Sequence, residues 1–409
     1  MTARPAVLPA FRRAAWHSSA DTLRLPGPPA ELALVPEVVA ASDRRWWEAQ
    51  ATAGGDAEFR PADRRKLLAE ALELFTDGTV TIGDSLVQGP AEFRAAIWAT
   101  AGVPAALVDR WCGLLREAVP DAVPEAGVAD GRVPDGGVPD GALSLVSLPG
   151  NTFSCLESVL SEAARSAAVW VRPSRREPWS ASRLVAALLA VGWPAWRLGL
   201  YPSERRTLRG LVRLTDRQIV YGGSGLAASV RGAPQLTVHG PGRGCALVPP
   251  GMDTSEAVAW LLPLVAGDGG RFCSNVRTVV CPGPGADALA TALAEALDAL
   301  PADPAAPWPL TACRTPGEAE RAAWGVRERL RPGDRLLTRR PPTARTGVTG
   351  SDVYALPALA LLASDDPGHP LVGHEVPFPF AAVVATSPAR AEALAAGSLF
   401  VHRPPEGPA

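Results

Sequence analysis

Hydrophobic and polar positions in the first part of the chain repeat with a helical period. From Asp63 to Phe75, the residues Leu67, Leu68, Ala71, Leu72 and Phe75 share one face, the spacing of an amphipathic helix. Pro104 to Leu115 predicts a second such helix, and residues 1–120 read as a helical N-terminal region. From Val119 to Gly141 the period is lost. Pro, Gly, Asp and Val alternate there, with the near-repeat Arg132-Val-Pro-Asp-Gly-Gly-Val-Pro-Asp-Gly141. Residues 121–141 therefore read as a Pro/Gly-rich loop, long for a compact domain.

Beyond it, short apolar runs alternate with helical stretches. Ala142–Leu148 ends at Pro149-Gly150, Cys155–Ala168 has helical spacing, and Ala168–Val171 reads as a buried strand. A helix is expected from about Ser180 to Val191, then a strand Gln218–Tyr221 closed by Gly222-Gly223. The last zone repeats the rhythm with a helix Thr254–Val265, a strand Val276–Cys281 and a helix Ala286–Leu300. Alternation of this kind predicts an α/β fold with two Rossmann-like parallel sheets, helices on both faces. Ligands bind such sheets beyond the carboxyl ends of the strands. The tail His369–Ala382 is apolar and Pro-rich, and the chain ends without a readable element.

Composition narrows the classes of function. Hydrophobic residues make up 47% and charged residues 20% of the 409, as in soluble globular proteins. A net charge of −2 from 40 basic and 42 acidic groups gives no electrostatic reason to expect nucleic acid or an anionic membrane. Lys66 is the single lysine; the other basic residues are Arg. The run Leu261–Ala266 is cut by Gly267, Asp268 and Gly269, so no membrane helix is expected. Met1–Trp16 carries three Arg and no long apolar run, unlike a secretory signal. Six cysteines (112, 155, 245, 273, 281 and 313) show no CxxC. His369 and His374 are separated by Pro and Gly, not placed at helical ligand spacing. No metal site or disulfide framework is therefore expected, and the setting reads as reduced and cytoplasmic.

Cys273 stands in Gly269-Gly-Arg-Phe-Cys-Ser-Asn-Val-Arg277, between a predicted helix and a predicted strand. The glycine pair lets the backbone turn, which suits a nucleophile held rigidly on one side and open on the other. A lone cysteine also suits a small buried hydrophobe. Cys155, Cys245 and Cys281 lie in apolar runs and are read that way, and Cys112 and Cys313 have no local feature.

The order of short motifs around Cys273 goes further. Leu148-Pro-Gly-Asn-Thr-Phe153, Val169-Trp-Val-Arg-Pro-Ser174 with Glu177-Pro178, Val220-Tyr-Gly-Gly-Ser224, His239-Gly-Pro-Gly242, Gly270-Arg-Phe-Cys273 and His374-Glu-Val-Pro-Phe378 follow one another. Over about residues 143–380 this series resembles the aldehyde dehydrogenase superfamily. Within it the chain looks most like the acyl-CoA reductase branch, typified by the fatty-acid reductase of bacterial bioluminescence.

The resemblance implies a cofactor domain over 142–250, a catalytic domain over 251–370, and a segment 371–409 that returns to the cofactor domain. It implies Cys273 as nucleophile and Asn151 as an oxyanion donor, although Asn151 equally suits a helix cap. Arg172-Pro173-Ser174 matches a lysine–proline–serine turn at the adenosine ribose. Arginine in place of that lysine, with Arg175 and Arg176 beside it, favours NADPH over NADH. Gly222-Gly223-Ser224 matches the turn under the pyrophosphate, and Glu375 the glutamate at the nicotinamide-side ribose. Where acid-forming members carry a water-activating glutamate, this chain reads Leu236-Thr-Val-His-Gly240. That absence points to thioester exchange, with His239 as an acid or base, or as a structural turn residue. The implied function is NADPH-dependent reduction of an acyl thioester, on coenzyme A or a carrier protein, to an aldehyde. The alternatives are an NAD(P)-dependent aldehyde or semialdehyde dehydrogenase, or a non-catalytic member that binds partners. The resemblance implies a homodimer, with its usual strand pairing lost or rebuilt because little sequence follows Val401.

Overall fold

The computed structural model describes residues 6–26, 30–53, 59–122, 141–230, 235–240, 242–306, 308–315, 317–346 and 352–405. The expected spacer at 121–141 therefore lies almost wholly outside the described residues. Two compact units divide the chain: residues 1–101 with 108–239, and residues 102–107 with 240–409.

The first unit is built on a seven-stranded sheet. Its order is Leu236–His239, Arg217–Tyr221, Leu143–Ser147, Ala168–Arg172, Leu198–Leu200, Ala10–Arg12 and Ala15–His17. The first five strands run parallel. Leu143–Ser147 and Ala168–Arg172 are buried at every position, which is why they read as unbroken apolar runs. The order reverses beside Leu143–Ser147, whose neighbours are Ala168–Arg172 and Arg217–Tyr221. This makes a topological switch point with a crevice at the strands' carboxyl ends. The helices Leu156–Arg165 and Trp179–Ala190 connect the strands. Phe153 anchors the turn after Leu143–Ser147, packing on Phe75, Phe93 and Trp111 with ring centroids 5.2–6.1 Å apart.

The second unit has a six-stranded sheet in the order Arg335–Leu336, Ala358–Leu362, Phe380–Thr386, Val276–Pro282, Gly244–Leu247 and Val401–His402. All pairs but the first are parallel. Helices Thr254–Ala266 and Ala286–Asp298 pack their apolar faces on it, with Leu261, Val265, Leu289 and Leu293 fully covered. Asp253 caps the first of these through bonds from the Ser255 and Glu256 N–H groups. Among the described residues no helix is long and apolar enough to cross a membrane.

Three expectations about organisation are corrected. The N-terminal region opens with strands rather than helices: Ala10–Arg12 and Ala15–His17 extend the first sheet through the Leu200↔Phe11 pairing. Three-residue strands carry no readable period; a partner nearly 190 positions away creates them. The boundary between units falls at His239/Gly240, not near 250, because Gly244–Leu247 pairs with Val276–Pro282. Residues 371–409 belong to the second unit: Phe380–Thr386 lies inside its sheet and Val401–His402 forms its edge.

Candidate active site

The crevice of the first unit gathers most of the residues expected to meet a cofactor. The turn Pro149-Gly150-Asn151 packs on the turn after Ala168–Arg172; a Cβ on Gly150 would lie 2.5 Å from the Ser174 hydroxyl oxygen. Ser174 in turn accepts from the Arg176 N–H at 3.2 Å. On the other side of the switch point, the Gly222 N–H donates to the His239 carbonyl at 3.0 Å. Gly223 is exposed, with open space where a side chain would stand, so a ligand can approach its backbone closely. His239 stacks on Tyr221 at 4.7 Å and 15°, and the Tyr221 hydroxyl meets Ser158 at 2.7 Å. Burial holds the His239 imidazole below its usual range, which keeps it neutral at pH 7. These turns, an open glycine and exposed Arg175 and Arg176 fit a dinucleotide.

Arg172 does not have the expected place. Its side chain is buried, with Nε donating to the Ser203 hydroxyl at 3.0 Å, Nη2 to the Ser203 carbonyl at 3.1 Å and Nη1 towards Ser147 at 3.4 Å. Burial, with the charges of Arg175 and Arg205, lowers its pKa to about 10. The guanidinium ties the carboxyl ends of three neighbouring strands together, and the exposed cations beside it are Arg175 and Arg176.

The second unit places its chemistry at the opposite kind of edge. Gly242, Cys273 and Glu375 each lie just before one of three adjacent parallel strands: Gly244–Leu247, Val276–Pro282 and Phe380–Thr386. Cys273 is half-buried and unpaired by any disulfide. The chain reaches it through Asp268, Gly269 and Gly270, all with positive φ. At Gly270 a Cβ would come within 2.5 Å of the Pro379 nitrogen. The buried Asn275 closes the turn: its Oδ1 accepts from the Phe272 N–H at 2.7 Å. Its amide nitrogen donates to the carbonyls of Leu264 and Gly267 at 3.1 and 3.0 Å. Gly242 backs directly onto the cysteine, since a Cβ there would fall 1.8 Å from the Cys273 carbonyl oxygen. Glu375 is exposed, and its Oε1 accepts from the Gly242 N–H at 3.2 Å. His402 reaches the Ser274 carbonyl at 2.9 Å.

Beneath this edge lies Arg277, fully buried on the strand that follows Cys273. It donates to the carbonyls of Val376, Phe378 and Phe380 at 3.1, 3.0 and 3.4 Å, and to that of Gly270. Burial lowers its pKa to about 10, against the attraction of Glu375. It thus binds the turn before Cys273 to the segment after Glu375.

Burial pushes the Cys273 thiol up, and the Glu375 carboxylate pushes it the same way. The N–H groups of Cys273 and Ser274 pull it back. The sulfur therefore rests as a thiol at neutral pH, with two backbone donors turned towards it. Such donors can hold the oxyanion of a tetrahedral adduct. Among the described residues no group of three or more His, Cys, Asp or Glu could hold a metal ion.

No protein-family model matches the sequence, and no curated protein matches it. Solved structures do. A NAD-dependent benzaldehyde dehydrogenase from Corynebacterium glutamicum is similar at TM-score 0.77 and 15% identity, over 97% of this chain and 90% of that one. A cysteine-to-alanine mutant of aldehyde dehydrogenase C from Pseudomonas syringae, complexed with NAD+ and octanal, is similar at 0.78 and 15%, over 100% and 91%. An aldehyde dehydrogenase from Bacillus cereus, complexed with NAD+, is similar at 0.75 and 14%, over 96% and 82%. The chain has the aldehyde dehydrogenase fold.

In this aldehyde dehydrogenase fold, Asn151, Pro173, Ser174, Arg175, Gly222, Gly223, Ser224 and His239 belong to the first unit, and Cys273 and Glu375 to the second. Ser224 opens the short helix Ser224–Val230; its side chain lies outside the described residues. Asn275, Arg277 and the Gly242–Glu375 bond were not foreseen from sequence. Arg277 alone carried a signal, as a charge inside a mostly apolar strand.

Proposed function

We propose that the chain is a nicotinamide-dependent oxidoreductase that interconverts an aldehyde and an acyl thioester on Cys273. The observation that carries this reading is the seat of Cys273: a left-handed glycine turn, half-buried, with the N–H groups of Cys273 and Ser274 at the sulfur. The fold supports it, because neighbours of the same fold include a NAD-dependent benzaldehyde dehydrogenase and an aldehyde dehydrogenase complexed with NAD+.

In the oxidative direction the Cys273 thiolate attacks the aldehyde carbon. The oxyanion falls to the backbone N–H groups of Cys273 and Ser274. Hydride transfer, in either direction, is the chemistry that a nicotinamide cofactor would supply when bound. Gly222, Gly223 and the Ser174 turn are the residues that would hold it. Exposed Arg175 supports NADPH over NADH, because a 2′-phosphate gains a charge-assisted contact there. Arg175→Ala is expected to weaken NADPH binding about tenfold, a change of roughly 1.4 kcal/mol, and to leave NADH binding unchanged. Fluorescence titration of both cofactors checks this.

A second reading is the acyl-thioester reductase, fed by an acyl-coenzyme A or an acyl carrier protein. One feature favours it: strand Leu236–His239 and Gly240 carry no carboxylate, and a thioester awaiting hydride benefits from that. Mass spectrometry after incubation with acyl thioesters should find the acyl group on Cys273, and none in Cys273→Ala. An adduct that survives this substitution would sink both readings. Free acid as the product from aldehyde and oxidised cofactor supports the first reading; product only in the presence of a thiol acceptor supports the second.

A further inference from the structure

The edge strand Val401–His402 is only two residues long, yet it is tied to both segments that frame Cys273. It pairs with Gly244–Leu247. Just before it, the Leu399 N–H donates to the Gly242 carbonyl at 3.0 Å, and the Phe400 carbonyl accepts from the Cys245 N–H at 2.9 Å. The His402 imidazole then reaches past this neighbouring strand to the Ser274 carbonyl at 2.9 Å, 128 positions away in sequence. We propose that His402 is a positioning residue for Cys273: it holds the Ser274 carbonyl and thereby aims the amide that receives the oxyanion. The assignment rests on the reading of Cys273 as the acyl carrier and deepens it.

The contact has one chemical sense. A carbonyl oxygen only accepts, so Nε2 carries the proton and donates. Gly244 keeps the approach open, because a Cβ there would stand 2.8 Å from the same Ser274 oxygen. The ladder between Gly244–Leu247 and Val276–Pro282 starts at the pairing of Gly244 with Val276. Ser274 lies before that pairing, so its carbonyl is held from the side, by a side chain.

The upstream half of the turn has its own ties, from Asn275 to the Phe272 N–H and from Arg277 to the Gly270 carbonyl. His402 supplies a tie on the downstream half. The carbonyl that it holds and the N–H that faces the sulfur belong to one residue, Ser274, so a swing of the first carries the second. An amide that moves by a fraction of an ångström no longer meets the developing charge at hydrogen-bond distance.

Two reactions of the same sulfur separate positioning from folding, and neither needs a cofactor. Release of nitrophenolate from p-nitrophenyl acetate passes through a tetrahedral oxyanion. Alkylation by iodoacetamide displaces iodide directly and forms none. Both need the thiolate, so the ratio of their rate constants cancels any change in its fraction. His402→Ala should lower that ratio about tenfold, less than the roughly 100-fold or more lost when an oxyanion donor is removed outright. His402→Gln places an amide nitrogen about as far from the backbone as Nε2 and should recover most of the ratio. His402→Asn carries the same amide one methylene short and should behave as alanine does. A merely structural need for a polar side chain at this edge would be met by both amides alike. If the alanine variant fails to fold, the comparison of glutamine with asparagine carries the test alone. An unmoved ratio in a folded His402→Ala, or a glutamine variant no better than asparagine, overturns the role of His402. Nitrophenolate release at the parent's rate in Cys273→Ala overturns the reading of Cys273, and this assignment with it.

Discussion

Replacing Arg277 by methionine is expected to cost the second unit about 3–5 kcal/mol and to disarm Cys273 in whatever fraction still folds. The guanidinium is fully buried and supplies four carbonyls from two segments, Gly270 on one side and Val376, Phe378 and Phe380 on the other. Each carbonyl left unpaired costs roughly 1–3 kcal/mol. Removing a buried charge offsets part of that sum, since Arg277 has no carboxylate bonded to it and its pKa falls to about 10. Methionine fills the volume, so the deficit measured is that of the bonds and not of a cavity. Urea unfolding reads the loss, and alkylation of Cys273 reads the displacement of its turn. Arg277→Lys keeps the charge but can reach fewer carbonyls, so it should recover only part of the stability. A methionine variant that unfolds at the parent's midpoint would show that these four bonds contribute nothing net.

Gly270→Ala should be nearly as damaging, for a different reason. The residue has φ +68°, which costs a non-glycine residue roughly 1–2 kcal/mol. The added carbon would also stand 2.5 Å from the Pro379 nitrogen and 2.6 Å from the Phe378 carbonyl carbon. Both are backbone atoms, fixed in turn by Arg277, and neither can rotate aside. The turn must therefore move, carrying Cys273 three residues later with it. A displacement of about 1 Å at a reacting atom can cost about 100-fold in rate. The expected result is a loss of that size in acylation, with a fall in stability above the φ cost alone. Gly283→Ala is the control: its φ is +102°, but nothing lies within 4 Å of the new carbon. If both variants lose equal amounts of stability and acylation, contact with Phe378 and Pro379 has no part in the effect.

The periodic parts of the fold were legible because their own residues decide them. Val276–Pro282 is an unbroken buried run but for its last residue, and Leu67 to Phe75 states its helix in its spacing. The strands at 10–12, 15–17, 198–200 and 401–402 were not legible, since two or three residues hold no period and a distant partner makes the strand. Chemistry followed the same division. The turn that presents Cys273 announces itself through adjacent glycines. Arg172 misled because its motif looks like a ligand for phosphate, whereas its direction is set by Ser203, 31 residues away. The Gly242–Glu375 bond spans 133 positions, and no local pattern encodes it. The Pro149-Gly150-Asn151 turn lies between these cases: its glycine is readable, but the reason, a serine 24 positions on, is not.

The convergence of three pre-strand loops at one edge also says how this protein could be reprogrammed. Gly242, Gly270, Asn275 and Arg277 are each fixed by main-chain atoms, so a mutant library that touches them would be spent on chains that misfold. Phe272, Ser274 and His374 stand beside them and are only half-buried. Randomising those three alone would vary the surroundings of the sulfur while the frame that aims it stays intact, and a screen for new acyl groups should begin there.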